Sequence, residues 1–247
     1  MDADLSGADL SEAILEAVDF ERAILSGADL NHALVSNSQF PNTWLKSIIL
    51  SDATFRGANF GKAHLRDSKC QGVVMEGCTL CGASLQSASF HHARLTNCDF
   101  SESELHHTEF YGAHLRASRF RSVSGMHANF GNTRLKACDF SKAELANTNF
   151  SRAEFGASQF DRAILPNADF RHADLSGADF CRADLSNARF GGAKLLAADL
   201  RAANLTGARE LTAAQLTQAR TDESTILPSG SRGPYRRASG AERPVLA

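Results

Sequence analysis

The sequence predicts a solenoid: a stack of short coils around one continuous apolar core, with a short helix closing its C-terminal end. Three observations carry this. Every fifth residue from Leu5 to Leu205 belongs to one ladder of 41 rungs, nearly all large and apolar. A second ladder of small residues stands two positions earlier, from Ala3 to Ala203. The pattern ends at about Ala208 and gives way to a helix start at Thr212.

The first ladder is Leu or Phe except at Val35, Cys70, Met75 and Gly125, and it holds all 16 Phe of the chain. A period of five fits neither the 3.6 of a helix nor the 2 of a flat strand, so it marks a repeat. In the second ladder 25 of the 41 residues are Ala, and the rest are Ser, Thr, Cys or Val apart from Ile48. Small side chains there fill the space between large ones, as a close-packed interior requires. The residue just before each large one is often Asp or Asn, as in Ala8-Asp9-Leu10-Ser11-Glu12 and Ala178-Asp179-Phe180-Cys181-Arg182. No single unit can bury its own Leu or Phe, so units must stack.

With the unit A-(D/N)-(L/F)-x-x written out, the chain resembles the pentapeptide-repeat proteins over residues 3–207. The resemblance implies an all-β fold, a right-handed quadrilateral β-helix in which four pentads make one square coil. Both ladders would then point inward. Stacked at about 4.8 Å, the coils would form a rod roughly 50 Å long. One face would be mostly Phe (20, 40, 60 and onward), another Leu, and a third Phe from 90 to 190. Rings one coil apart should stack in an offset manner.

The elements then fall in order: a β-helix over residues 1–208, a C-terminal cap over 209–228 and a disordered basic tail over 229–247. In the cap, Thr212 and Gln215 are spaced as a capping box and Leu211 and Leu216 as a hydrophobic staple. This predicts a helix from about 213 to 219, with Ile226-Leu227-Pro228 lying back across the end. The tail is rich in Gly, Pro, Ser and Arg and poor in large apolar groups, which predicts disorder. At the other end the repeat is already running at Ala3. Its open edge calls for an upstream segment, self-association (a homodimer), or acids that keep a short edge soluble.

Net charge is −2 but unevenly spread. Residues 1–30 carry eight acids against Arg22 alone, while residues 31–137 carry eleven Lys or Arg against seven acids. Among the acids, Asp4, Asp9, Asp19 and Asp29 occupy outward positions and are candidates for a partner surface. So are Ile24, Leu34, Trp44 and Ile49, large apolar residues at positions that should face out, with Ile14 one coil from Leu34. A contiguous exposed patch of this kind marks a partner site, unless a degenerate repeat turns the groups inward. Gly125 removes a rung and predicts a local void or kink, with Met126 a candidate to fill it.

No catalytic constellation stands out, and neither an enzyme nor a cofactor is expected. Cys78 and Cys81 read C-x-x-C, but one points inward and the other outward, which argues against a shared metal. Cys70, Cys78, Cys98 and Cys138 should be buried and reduced, and Cys81 and Cys181 exposed. All nine His lie at outward positions, and His107 and His127 share a column. No apolar run is long enough to span a membrane and no secretory signal opens the chain, so a cytoplasmic location is expected. The expected partner is a protein, with neither nucleic acid nor membrane bound directly. One reading is a rigid interaction scaffold. The alternative comes from the family resemblance: some members mimic B-form DNA, bind DNA gyrase or topoisomerase IV and protect it from poisons. This chain departs from that pattern in its basic middle coils and in lacking loop insertions.

Overall fold

The computed structural model describes residues 3–244. Backbone pairing is parallel and steps by 20 residues throughout the repeat, which defines the coil. One column of bridges runs Asp4, Ile24, Trp44, His64 and on to Asn204, ten steps in all. Four such columns define four faces, so the body is a quadrilateral β-helix as the family resemblance implied. On the face of Leu15, Val35 and Phe55 the pairing is regular enough for six strands: β1 (Ile14–Glu16), β2 (Leu34–Ser36), β3 (Thr54–Arg56), β4 (Val74–Glu76), β5 (Arg94–Thr96) and β6 (His114–Arg116). They form one parallel sheet in sequence order.

Each pentad makes one side and one corner. The corner residue two after the ladder is left-handed, even where it is not glycine, as at Glu12 (φ 57°) and Asn147 (φ 57°). That conformation costs most residues energy and is least costly for Gly and Asn, which recur there. The Asp or Asn before the ladder residue acts on its own corner. Its carboxylate or amide oxygen accepts the N–H two residues on. Asp4 takes Ser6 N–H at 2.9 Å, Asp99 takes Ser101 at 2.9 Å, and Asn149 takes Ser151 at 2.9 Å. Each caps a corner donor that the ladder of coil-to-coil bonds leaves over.

The interior is filled as the face sorting predicts. Phe120, Phe140 and Phe160 stack with centroids 4.8 and 4.9 Å apart, and Phe130 meets Phe140 edge-on at 5.6 Å and 88°. Thus two Phe columns from opposite sides interlock at the axis, with mostly Leu on the two remaining sides. The Ser, Thr and Cys that replace Ala in the small ladder are buried but bonded. Thr43 Oγ1 donates to Phe20 O at 2.9 Å and Thr108 Oγ1 to Leu85 O at 2.8 Å, while Cys138 Sγ lies 3.2 Å from Leu115 O. Ser103 Oγ is the exception among the described residues, buried without a partner.

At Gly125 the expectation of a void filled by Met126 is corrected. Met126 is exposed, and a Cβ at Gly125 would meet Leu145 Cδ2 at 2.7 Å and Leu105 Cβ at 3.3 Å. The Leu side chains of the neighbouring coils close the gap, because they share its column and Met126 points outward from a corner.

The cap forms as the spacing predicts. Helix α1 (Ala213–Gln218) starts at Thr212 with a complete capping box, and Leu211 and Leu216 are buried. Gln215 Nε2 also donates to Phe190 O and Ala193 O, both at 2.8 Å, so it satisfies carbonyls of the last coil. Arg220 and Ile226 then pair with Asp199 and Asn204, resuming the β-helix for one more partial turn.

The tail differs from the disorder predicted for 229–247. Arg232 pairs antiparallel with Ile226, Ser229 N–H bonds Ala241 O at 3.1 Å, and Tyr235 N–H bonds Thr221 Oγ1 at 2.9 Å. Tyr235 packs on the core and Ala241 is buried. Composition counts apolar groups, but a few suffice where an open coil edge supplies backbone partners. Residues 245–247 of that segment lie outside the described residues.

Candidate interaction surface

The outward columns decide which predicted residues meet. Ile24, Trp44 and His64 are successive members of one column. Trp44 is 52% exposed, and its ring stacks on His64 with centroids 4.1 Å apart and planes 16° from parallel. One face of the indole is thus covered by the imidazole, while about half of the residue stays exposed. Ile49 lies half-buried on the adjoining face, in the column of Asp9 and Asp29.

Leu34 and Ile14 do not join this group, which corrects the expectation of one contiguous patch. They pair with each other in β1 and β2, ten residues and therefore half a coil away from Ile24 and Trp44. They face the opposite side of the rod, Ile14 at 78% and Leu34 at 49% exposure. Sequence proximity misled here because one turn of chain visits all four faces. Ile48, at an inward position, is buried.

The four candidate acids have a corner-capping role as well as a charge. Asp4 and Asp9 accept both N–H and hydroxyl from Ser6 and Ser11, and those hydroxyl bonds hold both carboxyls below the usual value. Asp19 and Asp29 accept the N–H of Glu21 and Asn31. They do not extend into an acidic stripe. The Asp19 column continues Gln39, Asn59, Thr79, Asp99, Arg119, Asp139, and the Asp9 column reaches Lys69 and later Arg189.

Histidines 107 and 127 do approach, stacked at 5.3 Å. Among the described residues, three potential metal-binding groups converge only at Asp179, Cys181 and Asp199. There Asp179 caps its own corner, Asp199 is bound by Arg201 at 2.6 Å, and partial burial and the two carboxylates push the Cys181 thiol up to about 11. A thiol that stays protonated beside occupied carboxylates is a poor cation ligand. Burial pushes Cys70 and Cys138 up to about 12, in keeping with inert core thiols.

Models of the pentapeptide repeat region match residues 73–150 and 93–170, and models of eight-copy pentapeptide repeats match 3–40, 48–86, 163–195 and 183–220. The chain belongs to the pentapeptide-repeat family. Among solved structures of pentapeptide-repeat proteins it is similar to HetL from the cyanobacterium Nostoc sp. strain PCC 7120, a protein involved in the regulation of heterocyst differentiation. The two share 26% identity over 92% of each chain, with a TM-score of 0.50. Full-length QnrB1, a plasmid-mediated fluoroquinolone resistance protein, shares 19% over 85% of this chain and 91% of its own, with a TM-score of 0.31. Rfr23 from the cyanobacterium Cyanothece 51142 shares 18% over 47% and 85%, with a TM-score of 0.27. No curated protein sequence matches significantly. Among the described residues of this pentapeptide-repeat protein, no helix is long and apolar enough to cross a membrane.

A second surface escaped the sequence reading. On the face of β5 and β6 and the next coil, Arg94, His114, Arg116, Arg134 and Lys136 stand exposed around a groove of about 300 Å³ floored by Leu115. The signal was available: segments 91–97, 111–117 and 131–137 contain no Asp or Glu. It becomes visible only when the chain is written in coils of 20.

Proposed function

We propose that this protein is a non-enzymatic, rigid interaction scaffold, and that a protein partner docks on the column of Ile24, Trp44 and His64. The observation that carries this is the open Trp44 ring, half exposed yet fixed by its stack on His64. A large ring held in place loses little entropy on binding, and Trp anchors dominate interface energetics. Similarity to HetL, a protein involved in regulation, supports a role exerted through binding. Trp44→Ser should weaken the partner by about thirtyfold or more, the size of an interface hot spot, while leaving the melt unchanged. An affinity equal to wild type would sink the reading.

The topoisomerase alternative draws on the acids of the first coils. Against it, no outward column is continuously acidic, as phosphate mimicry along the rod would need. Titration into a gyrase supercoiling assay, with and without a gyrase poison, separates the two. Dose-dependent inhibition or protection would make the topoisomerase the partner, and no effect from folded protein would remove it.

A further inference from the structure

We propose that the groove of Arg94, His114, Arg116, Arg134 and Lys136 is a second docking site, and that its occupant is a short acidic segment of a protein partner in extended conformation. The proposal extends the scaffold reading to a different face. It starts from charge. Over three successive coils, this face and both its corners (91–97, 111–117 and 131–137) hold four Lys or Arg and three His but no carboxylate, in a chain of net charge −2. Among the described residues, no carboxylate comes within 4.0 Å of Arg94, Arg116, Arg134 or Lys136, although Arg119 and Arg121 on the next face pair with Asp99 and Asp139. Like charges massed without partners repel one another, and an anion relieves that repulsion.

The second observation is shape. The four cationic side chains and His114 surround a concavity of about 300 Å³ with Thr96 and Leu115. Its walls are two rows. Arg94, His114 and Arg134 precede the ladder residue, and Thr96, Arg116 and Lys136 follow it. Members of a row are one coil apart, about 4.8 Å, and the rows are two residues apart along a strand, roughly 6.7 Å. The latter is also the spacing of alternate side chains in an extended peptide. A segment crossing the groove along the strand direction therefore sets two acidic residues, two positions apart, one on each wall, and the Arg side chains offer fork-shaped donors to each carboxylate.

The ends of the groove argue for a short protein segment over nucleic acid. Glu76 precedes it by one coil, next to Thr96, and Glu154 follows it by one coil, beside Arg134 and Lys136. A long polyanion running along the rod would meet these acids and then the negative first coils. A short segment lying across the rod meets only these basic coils, whose field screening confines to about 8 Å at physiological salt.

The test uses the full-length protein and a fluorescein-labelled octapeptide of alternating Glu and Thr, followed by fluorescence anisotropy at low and physiological salt. Comparison probes are the alternating Gln and Thr octapeptide, an eight-residue oligothymidylate and inorganic tripolyphosphate. The Glu peptide should saturate, weaken with salt and lose about tenfold in affinity with the Arg94→Ser/Arg134→Ser double variant and again with Arg116→Gln. Arg182→Ser, on another face and paired with Asp161 at 2.7 Å, should bind as wild type. Variant melts matching wild type establish that folding is intact. No saturation at low salt, equal binding of the Gln peptide, or wild-type affinity in both groove variants would overturn the site. Tighter binding of oligothymidylate or tripolyphosphate would overturn its assignment to a protein partner. The readout is independent of Trp44 and its partner, so failure here leaves the scaffold reading standing, and the reverse also holds.

Discussion

Phe140 tests the packing scheme most directly. Its ring is fully buried, stacks on Phe120 at 4.8 Å and Phe160 at 4.9 Å, and meets Phe130 and Phe150 edge-on at 5.6 and 6.1 Å. Truncating a buried Phe to Ala costs about 3–5 kcal/mol, depending on how far the site can collapse. Collapse is hindered here, since the flanking rings are pinned by backbone pairing of their own coils. Phe140→Ala should therefore cost about 4–5 kcal/mol, toward the top of that range. Phe20 stacks on Phe40 alone, at 5.0 Å, and keeps 9% exposure. Phe20→Ala should cost about 3 kcal/mol or less. Ile14→Ala, at a 78% exposed position, should stay within about 0.5 kcal/mol of wild type. Urea unfolding followed by circular dichroism measures all three, with tryptophan fluorescence from Trp44 as a second probe of whether coils unfold together. A Phe140→Ala cost below about 1.5 kcal/mol, or one matching Ile14→Ala, would refute the interlocked core. Phe140→Asp would bury an unpaired carboxylate and should abolish folding.

Gly125→Leu, which restores the missing rung, should destabilise by about 1–3 kcal/mol because Leu145 and Leu105 already occupy the space; a raised melting temperature would show a void. Asp199 carries a pH dependence: its hydrogen bond to Arg201 lowers its carboxyl below 3.8, so the stabilisation is present above that value and lost as pH falls through the lowered one. Asp199→Asn should therefore cost stability near neutral pH and nothing in strong acid, and an equal cost at both would remove the ion pair from the account. Deleting 229–247 should lower the melting temperature by about 2–4 °C per kcal/mol of lost packing, since Tyr235 and Ala241 lie against the cap; an unchanged melt would show that the segment contributes nothing.

The repeat and its stacking were legible because no pentad can bury its own Leu or Phe, the quadrilateral shape came from the family resemblance, and the capping box of α1 was legible because it is local. The interaction surfaces were only partly so. Trp44 was found as an apolar residue at an outward position, but its stack on His64 joins residues 20 apart. Leu34 was grouped with Trp44 by closeness in sequence, whereas pairing places it half a coil away. The basic groove was missed because Arg94, His114 and Arg134 are scattered in a linear reading.

The sequence by itself determined the repeat, the identity of every inward residue and the position of the closing helix. These follow from local chemistry and from a hydrophobic pattern that one packing arrangement satisfies. Only the tertiary structure decided what the outside presents. It set the side of the rod that Leu34 faces, the filling of the gap at Gly125 by Leu145 and Leu105, the packing of 229–244 on the last coil and the meeting of four cations around one groove. The physical reason is the coil itself. Inward positions are specified by burial, every five residues, whereas outward neighbours are set by pairing at 20 residues, where no hydrophobic pattern constrains the side chain.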